Sequence, residues 1–155
     1  ASGVPITAQS MGIMLCGTVL GAKRGALAVL LFIALTALGL PLLSGGRGGL
    51  GIFASPSVGF IVGFPLAAYV AGLITTKLKM VKIFYSSLLG AIIGGIFVLY
   101  IPGIIGMSII LGKSISEAMV IALIYLPGDL IKAFLCATLT QTLFKLRPAD
   151  VLSRS

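Results

Sequence analysis

Apolar residues in this chain run in unbroken stretches separated by short polar breaks, rather than alternating or forming one-sided stripes. Five stretches read as membrane spans, at roughly 9 to 22, 25 to 43, 58 to 76, 83 to 101 and 117 to 144. A helix apolar around its whole circumference has no face for water and belongs in lipid or in a large core. The first stretch is short for a hydrocarbon layer of about 30 Å, and the last is long enough to tilt or project.

The breaks between the stretches carry the charge. "AKRG" (Lys23, Arg24), "KLKMVK" (Lys77, Lys79, Lys82) and "FKLRPADVLSRS" (Lys145, Arg147, Arg154) fall on one side if the spans alternate, and hold eight of the eleven basic residues. The opposite side has only Arg47 and Lys113. Basic loops stay in the cytoplasm, so residues 145–155 are expected as a cytoplasmic tail and residues 1–9 as an external segment. The opening "ASGVPITAQS" has no initiator Met and no signal-peptide pattern. With an odd number of spans starting outside, it is expected to follow an upstream helix, giving six in all.

Two external connections stand out. Residues 40–58 form a loop crowded with Gly45, Gly46, Gly48 and Gly49, a density that marks turns and close backbone approach rather than helix. Irregular backbone at membrane depth must be buried in protein or line a cavity. Residues 102–116 are still apolar and end in "SISE", where Ser114 and Glu117 have capping-box spacing and predict the start of the last helix. Gly17/Gly21 and Gly90/Gly94 have the four-residue spacing that lets helices pack closely.

Composition strengthens the membrane reading. The chain is 59% hydrophobic and 9% charged, with a mean hydropathy of +1.23, whereas soluble domains carry about a quarter charged residues. The expectation is a single all-α integral membrane domain over residues 1–155. A net charge of +8 is explained by topology, and no aromatic-basic interleaving suggests a nucleic-acid partner. The chain has no histidine, and Cys16 and Cys136 lie in separate stretches without metal or redox spacing. No nucleophile–base set, metal site or cofactor motif is legible, so an enzyme is not expected.

One feature breaks the apolar rule. "YLPGDLIKAF" places Asp129 and Lys132 three residues apart, on one helix face, inside the last stretch. A lone charge at that depth costs roughly 2.5–3.5 kcal/mol on insertion scales. Pairing offsets part of this and leaves hydrogen-bonding capacity on both groups. The pair either fixes helix packing or forms a polar patch on a ligand cavity, and membrane ionisable groups favour the second. An acid already paired to a base is a poor proton carrier, which points to the polar head of a small neutral solute. Pro127 and Gly128 just ahead allow a kink there.

Three stretches together resemble the BioY family, the biotin-binding S components of energy-coupling factor transporters. They are "GVPITAQSMGIMLCGTVLGAKRGALAVLLF" (3–32), "GLPLLSGGRGGLGIFASPSVGFIVGF" (39–64) and "YLPGDLIKA" (125–133). The resemblance covers nearly the whole chain and implies an S-component-like helix bundle in a bacterial cell membrane. It implies capture of biotin from outside, with a membrane T subunit and two ATPase subunits as partners and ATP used only by the latter. It also implies that Asp129 and Lys132 contact the ureido ring, and that Gly46, Gly48 and Gly49 belong to a lid. Arg47, where some relatives carry Asn, cannot accept a hydrogen bond; it either pairs with the biotin carboxylate or lies in water. Gln9 either enters the pocket mouth or caps the first span. "SPSVGF" departs from the family's GPTGGY turn at Ser55, Ser57, Val58 and Phe60, where Phe60 retains a ring for stacking but no hydroxyl. The alternatives are an S component for another small vitamin, or a membrane scaffold whose Asp129–Lys132 pair is structural.

Overall fold

The computed structural model describes residues 7–155, and among these it is helical, with no strand. Six helices follow one another: α1 (Gln9–Leu20), α2 (Ala22–Ala37), α3 (Val58–Lys77), α4 (Ile83–Leu111), α5 (Ile115–Leu123) and α6 (Leu126–Leu146). By length and composition α3 and α4 can cross a membrane, and α5 with α6, bent by 53° at their junction, is long and apolar enough for a third crossing when the pair is taken as one span. The first two expected spans are helices of only 12 and 16 residues. At 1.5 Å per residue these reach about 18 and 24 Å, less than a full hydrocarbon layer.

α3 is the central element and packs against α1, α2 and α4. Small side chains make this possible. Ala67, Ala68 and Ala71 of α3 are fully buried. A Cβ on Gly17 would run into the Ala68 carbonyl, and one on Gly90 or Gly94 into the carbonyl of Ala71 or Ala67. Three of the four glycines picked out by spacing therefore sit at helix contacts. The fourth, Gly21, takes φ +84° in the turn between α1 and α2 and donates its N–H to the Gly17 carbonyl at 2.9 Å. Large apolar side chains, among them Leu31, Val62, Phe97, Ile101 and Ile109, project outward, as a lipid-facing surface requires.

Two boundaries differ from the sequence reading. The fourth helix does not stop at residue 101 but continues through Pro102 to Leu111. It contains a π-helical stretch at Ile93–Val98, whose wider winding already departs from the regular ladder just before the proline. In apolar surroundings continued helix also satisfies backbone groups that a loop would leave bare. The last span is not one helix: α5 starts at the Ser114–Glu117 capping box and ends at Leu123, and α6 begins at Leu126 with Pro127 in its first turn. Proline fits there because the first turn's N–H groups have no intrahelical acceptor.

The basic connections meet at one end of the bundle. The backbone N–H of Ser153 donates to the Val19 carbonyl at 3.0 Å, and its Oγ donates to the Thr18 carbonyl. The Arg154 guanidinium donates to the carbonyls of Lys79 (2.6 Å) and Val81 (2.9 Å) and to Ser86 Oγ. Val151 and Ser153 are fully buried, so the last residues pack onto the bundle.

Candidate binding site

At the opposite end, α1 begins, the glycine-rich loop returns, and α4 and α6 bring polar side chains together around a cavity. Asp129, in the first turn of α6, is only 6% exposed. Its Oδ1 accepts from Lys132 Nζ at 2.9 Å and from Ser10 Oγ at 3.2 Å, and its Oδ2 accepts from Tyr100 OH at 2.7 Å. Lys132 Nζ also donates to Ser10 Oγ at 3.2 Å. The acid and the base are therefore braced by α1 and α4 as well as by each other. The capacity left open in the sequence reading is largely filled by Ser10 and Tyr100.

Each element has a local reason for its place. The π-helical stretch ends at Val98, and the next two residues, Leu99 and Tyr100, are directed inward: Leu99 lines the cavity and Tyr100 reaches Asp129. The Tyr100 ring stands edge-on to Phe60, with centroids 6.1 Å apart and planes at 86°, a favoured aromatic geometry. Asp129 N–H bonds to the Tyr125 carbonyl at 3.0 Å, so the first turn of α6 is closed ahead of the acid. The loop is pinned by Leu43 N–H to the Arg47 carbonyl (3.0 Å) and by Gly49 N–H to the Thr36 carbonyl (2.7 Å).

Gln9, Ser10, Arg47, Ser57, Asp129 and Lys132, with Thr7 and Tyr125, supply the cavity's polar groups, and Phe60, Ile61, Phe64 and Leu99 are among its apolar walls. A small-molecule site has this character: an apolar chamber with a few convergent polar groups. A larger, almost wholly apolar cavity lies between α1 and α2 and shares Thr7 and Gln9 with the first. It lacks converging charge. Among the described residues no cluster of metal-ligating side chains is present.

Of the residues singled out from sequence, Asp129, Lys132, Arg47, Gln9 and Phe60 line the cavity. Gly46, Gly48 and Gly49 do not; they shape the loop. Gly46 and Gly49 take φ +69° and +82°, and a Cβ on Gly48 would strike the Leu40 carbonyl. Arg47 donates through Nε to the Ser44 carbonyl at 3.2 Å. Gln9 Nε2 is buried without a partner, so Gln9 enters the cavity wall; it does not cap α1, whose cap position is Ala8. Sequence reasoning missed Ser10 and Tyr100, and named Ser57 only as a departure from the turn motif. The only available signal was a polar atom within or beside an apolar run.

Residues 1–149 match the BioY family. The chain belongs to the BioY family. The chain is 45% identical to the "Biotin transporter BioY" of Rhodobacter capsulatus, with 98% of this chain and 85% of that protein covered. It is 42% identical to the "Probable biotin transporter BioY" of Bacillus subtilis, with 90% and 77% covered. The fold is similar to the crystal structure of the S-component for biotin from an ECF-type ABC transporter, at a TM-score of 0.86 and 33% identity, covering 92% of this chain and 76% of that one. This BioY-family chain is therefore a multi-pass membrane protein with the fold of an S component.

Proposed function

We propose that this BioY-family chain binds biotin as the substrate-specificity subunit of an energy-coupling factor transporter. Its partners would be a membrane T subunit and two ATPase subunits. The observation that carries the reading is the braced Asp129–Lys132 pair at the polar end of an otherwise apolar cavity. Lys132 retains one N–H beyond those given to Asp129 and Ser10, and Asp129 accepts three bonds of the roughly four available to a carboxylate. A cyclic urea needs a donor for its carbonyl and an acceptor for an N–H, and the pair offers both. Phe60 and Phe64 offer apolar surface for the fused ring, and the guanidinium of Arg47 offers its Nη groups to the carboxylate. The names of the relatives and of the structural neighbour support the same ligand.

Residues 40–58 act in this reading as the lid over the site. The cavity lies at the end away from eight of the eleven basic residues, and the positive-inside rule supports an outward-facing site with the C-terminal segment in the cytoplasm. Replacing Asp129 and Lys132 together by Leu and Met is the direct test. It removes both charges at once and leaves no buried charge unpaired, so the fold is expected to survive, to be checked by circular dichroism. Biotin binding is expected to disappear. Unchanged binding and transport in the double variant would mean that the pair only holds the bundle together.

A further inference from the structure

A cyclic urea has two N–H groups flanking one carbonyl, and the charged pair can satisfy only part of that pattern. Three donors already occupy Asp129: Lys132 and Ser10 on Oδ1, and Tyr100 on Oδ2. A carboxylate has roughly four acceptor positions, so one N–H is taken here and the second needs another oxygen. Arg47 is donor-only. Gln9 Nε2 is buried without a partner and itself asks for an acceptor; the Gln9 amide oxygen could also accept, and Thr7 Oγ1 already accepts from the Gln9 N–H at 3.3 Å.

Ser57 is different. It lines the same cavity and is nearly buried. Ser55 Oγ gives its single hydrogen to the Ile52 carbonyl at 2.7 Å, so in the 2.8 Å contact between Ser55 and Ser57 the hydrogen must come from Ser57. That leaves the lone pairs of Ser57 Oγ available. Ser57 occupies the N-cap position of α3, where a serine oxygen ordinarily accepts from the helix's own first-turn N–H groups, yet here it makes no such bond. Its oxygen is held as an acceptor and is not used by the fold.

We propose that Ser57 Oγ accepts the second ureido N–H of the ligand, with Ser55 fixing its hydroxyl so that only lone pairs face the cavity. This rests on the biotin reading above and assigns a specificity-determining residue to the same site. Ser57 would discriminate a ring with two N–H groups from one with a single N–H.

The test is biotin titration of the detergent-solubilised protein and its Ser57→Ala variant, beside two cyclic carbamates in which one or the other ureido N–H is replaced by oxygen. The substitution should weaken biotin about ten-fold. It should leave one carbamate, the isomer lacking the N–H that Ser57 takes, bound equally by parent and variant, and it should still weaken the other isomer. Ser57→Thr, which retains the hydroxyl, should bind biotin nearly as the parent does. A parent that binds biotin with a Ser57→Ala variant of equal affinity would overturn the assignment of Ser57 alone, as would equal losses for biotin and both carbamates. A folded parent that binds no biotin would overturn the ligand reading and this assignment together.

Discussion

Arg47 illustrates how a single side chain divides its work. Its Nε holds the glycine-rich turn by donating to the Ser44 carbonyl, while the rest of the guanidinium lines the cavity. If its charge meets the ligand carboxylate, Arg47→Ala should weaken biotin by at least ten-fold and leave biotin methyl ester nearly unaffected, since hydrogen bonds to charged groups contribute about 1.5–3 kcal/mol. Competition binding with both ligands reads the difference; equal losses would reduce Arg47 to a loop anchor. Asp129 and Lys132 were legible at this scale because charges three apart in an apolar run can hardly avoid one another or lack a purpose. Ser10 and Tyr100 were not, because they reach Asp129 across 119 and 29 residues of chain. Serine and tyrosine are unremarkable in a membrane helix until packing supplies their partner. Ser57 was noted only as a departure from a turn motif; its acceptor role depends on where the Ser55 hydrogen goes.

Among the elements, the most consequential for the site is the π-helical stretch at Ile93–Val98. It ends just before Leu99 and Tyr100, and Tyr100 carries the hydroxyl that reaches Asp129. Tyr100→Phe, which keeps the ring against Phe60 and removes only that hydroxyl, should leave a helical protein by circular dichroism whose biotin affinity has fallen by about ten-fold; retained affinity would mean that the Tyr100 hydroxyl does not set the geometry of Asp129. Nothing in "LLGAIIGGIFVLY" announces π winding, since its apolar residues and glycines suit an α-helix equally. The other elements were easier to read. The apolar runs became helices, and the Ser114–Glu117 capping box was read correctly because it depends on neighbours in sequence alone. Pro127 marked the bend, but the break lies just before it, at Ile124 and Tyr125, because proline is favoured in a helix's first turn and disfavoured in its interior.

At the scale of the molecule, the two ends of the bundle have separate tasks. One end gathers the basic turns under the segment around Val151–Arg154, and the other holds the cavity. Val151→Asp would place a charge where a fully buried valine now packs, and should lower thermal stability by several degrees while biotin affinity stays within about two-fold. A large loss of affinity without loss of stability would show that the ends are coupled. This division was anticipated from charge distribution, which needs only the order of the spans. How deeply the short helices α1 and α2 sit was not, because their length is set by packing against α3 and by the loop that follows. The most direct test of the whole account is calorimetric titration of the purified protein with biotin, run beside Asp129→Asn, which preserves shape and removes the charge. The account predicts saturable binding to the parent and an affinity lower by about 1.5–3 kcal/mol in the variant. Equal binding by both would remove Asp129 from the site, and no binding to a well-folded parent would contradict the assignment of biotin.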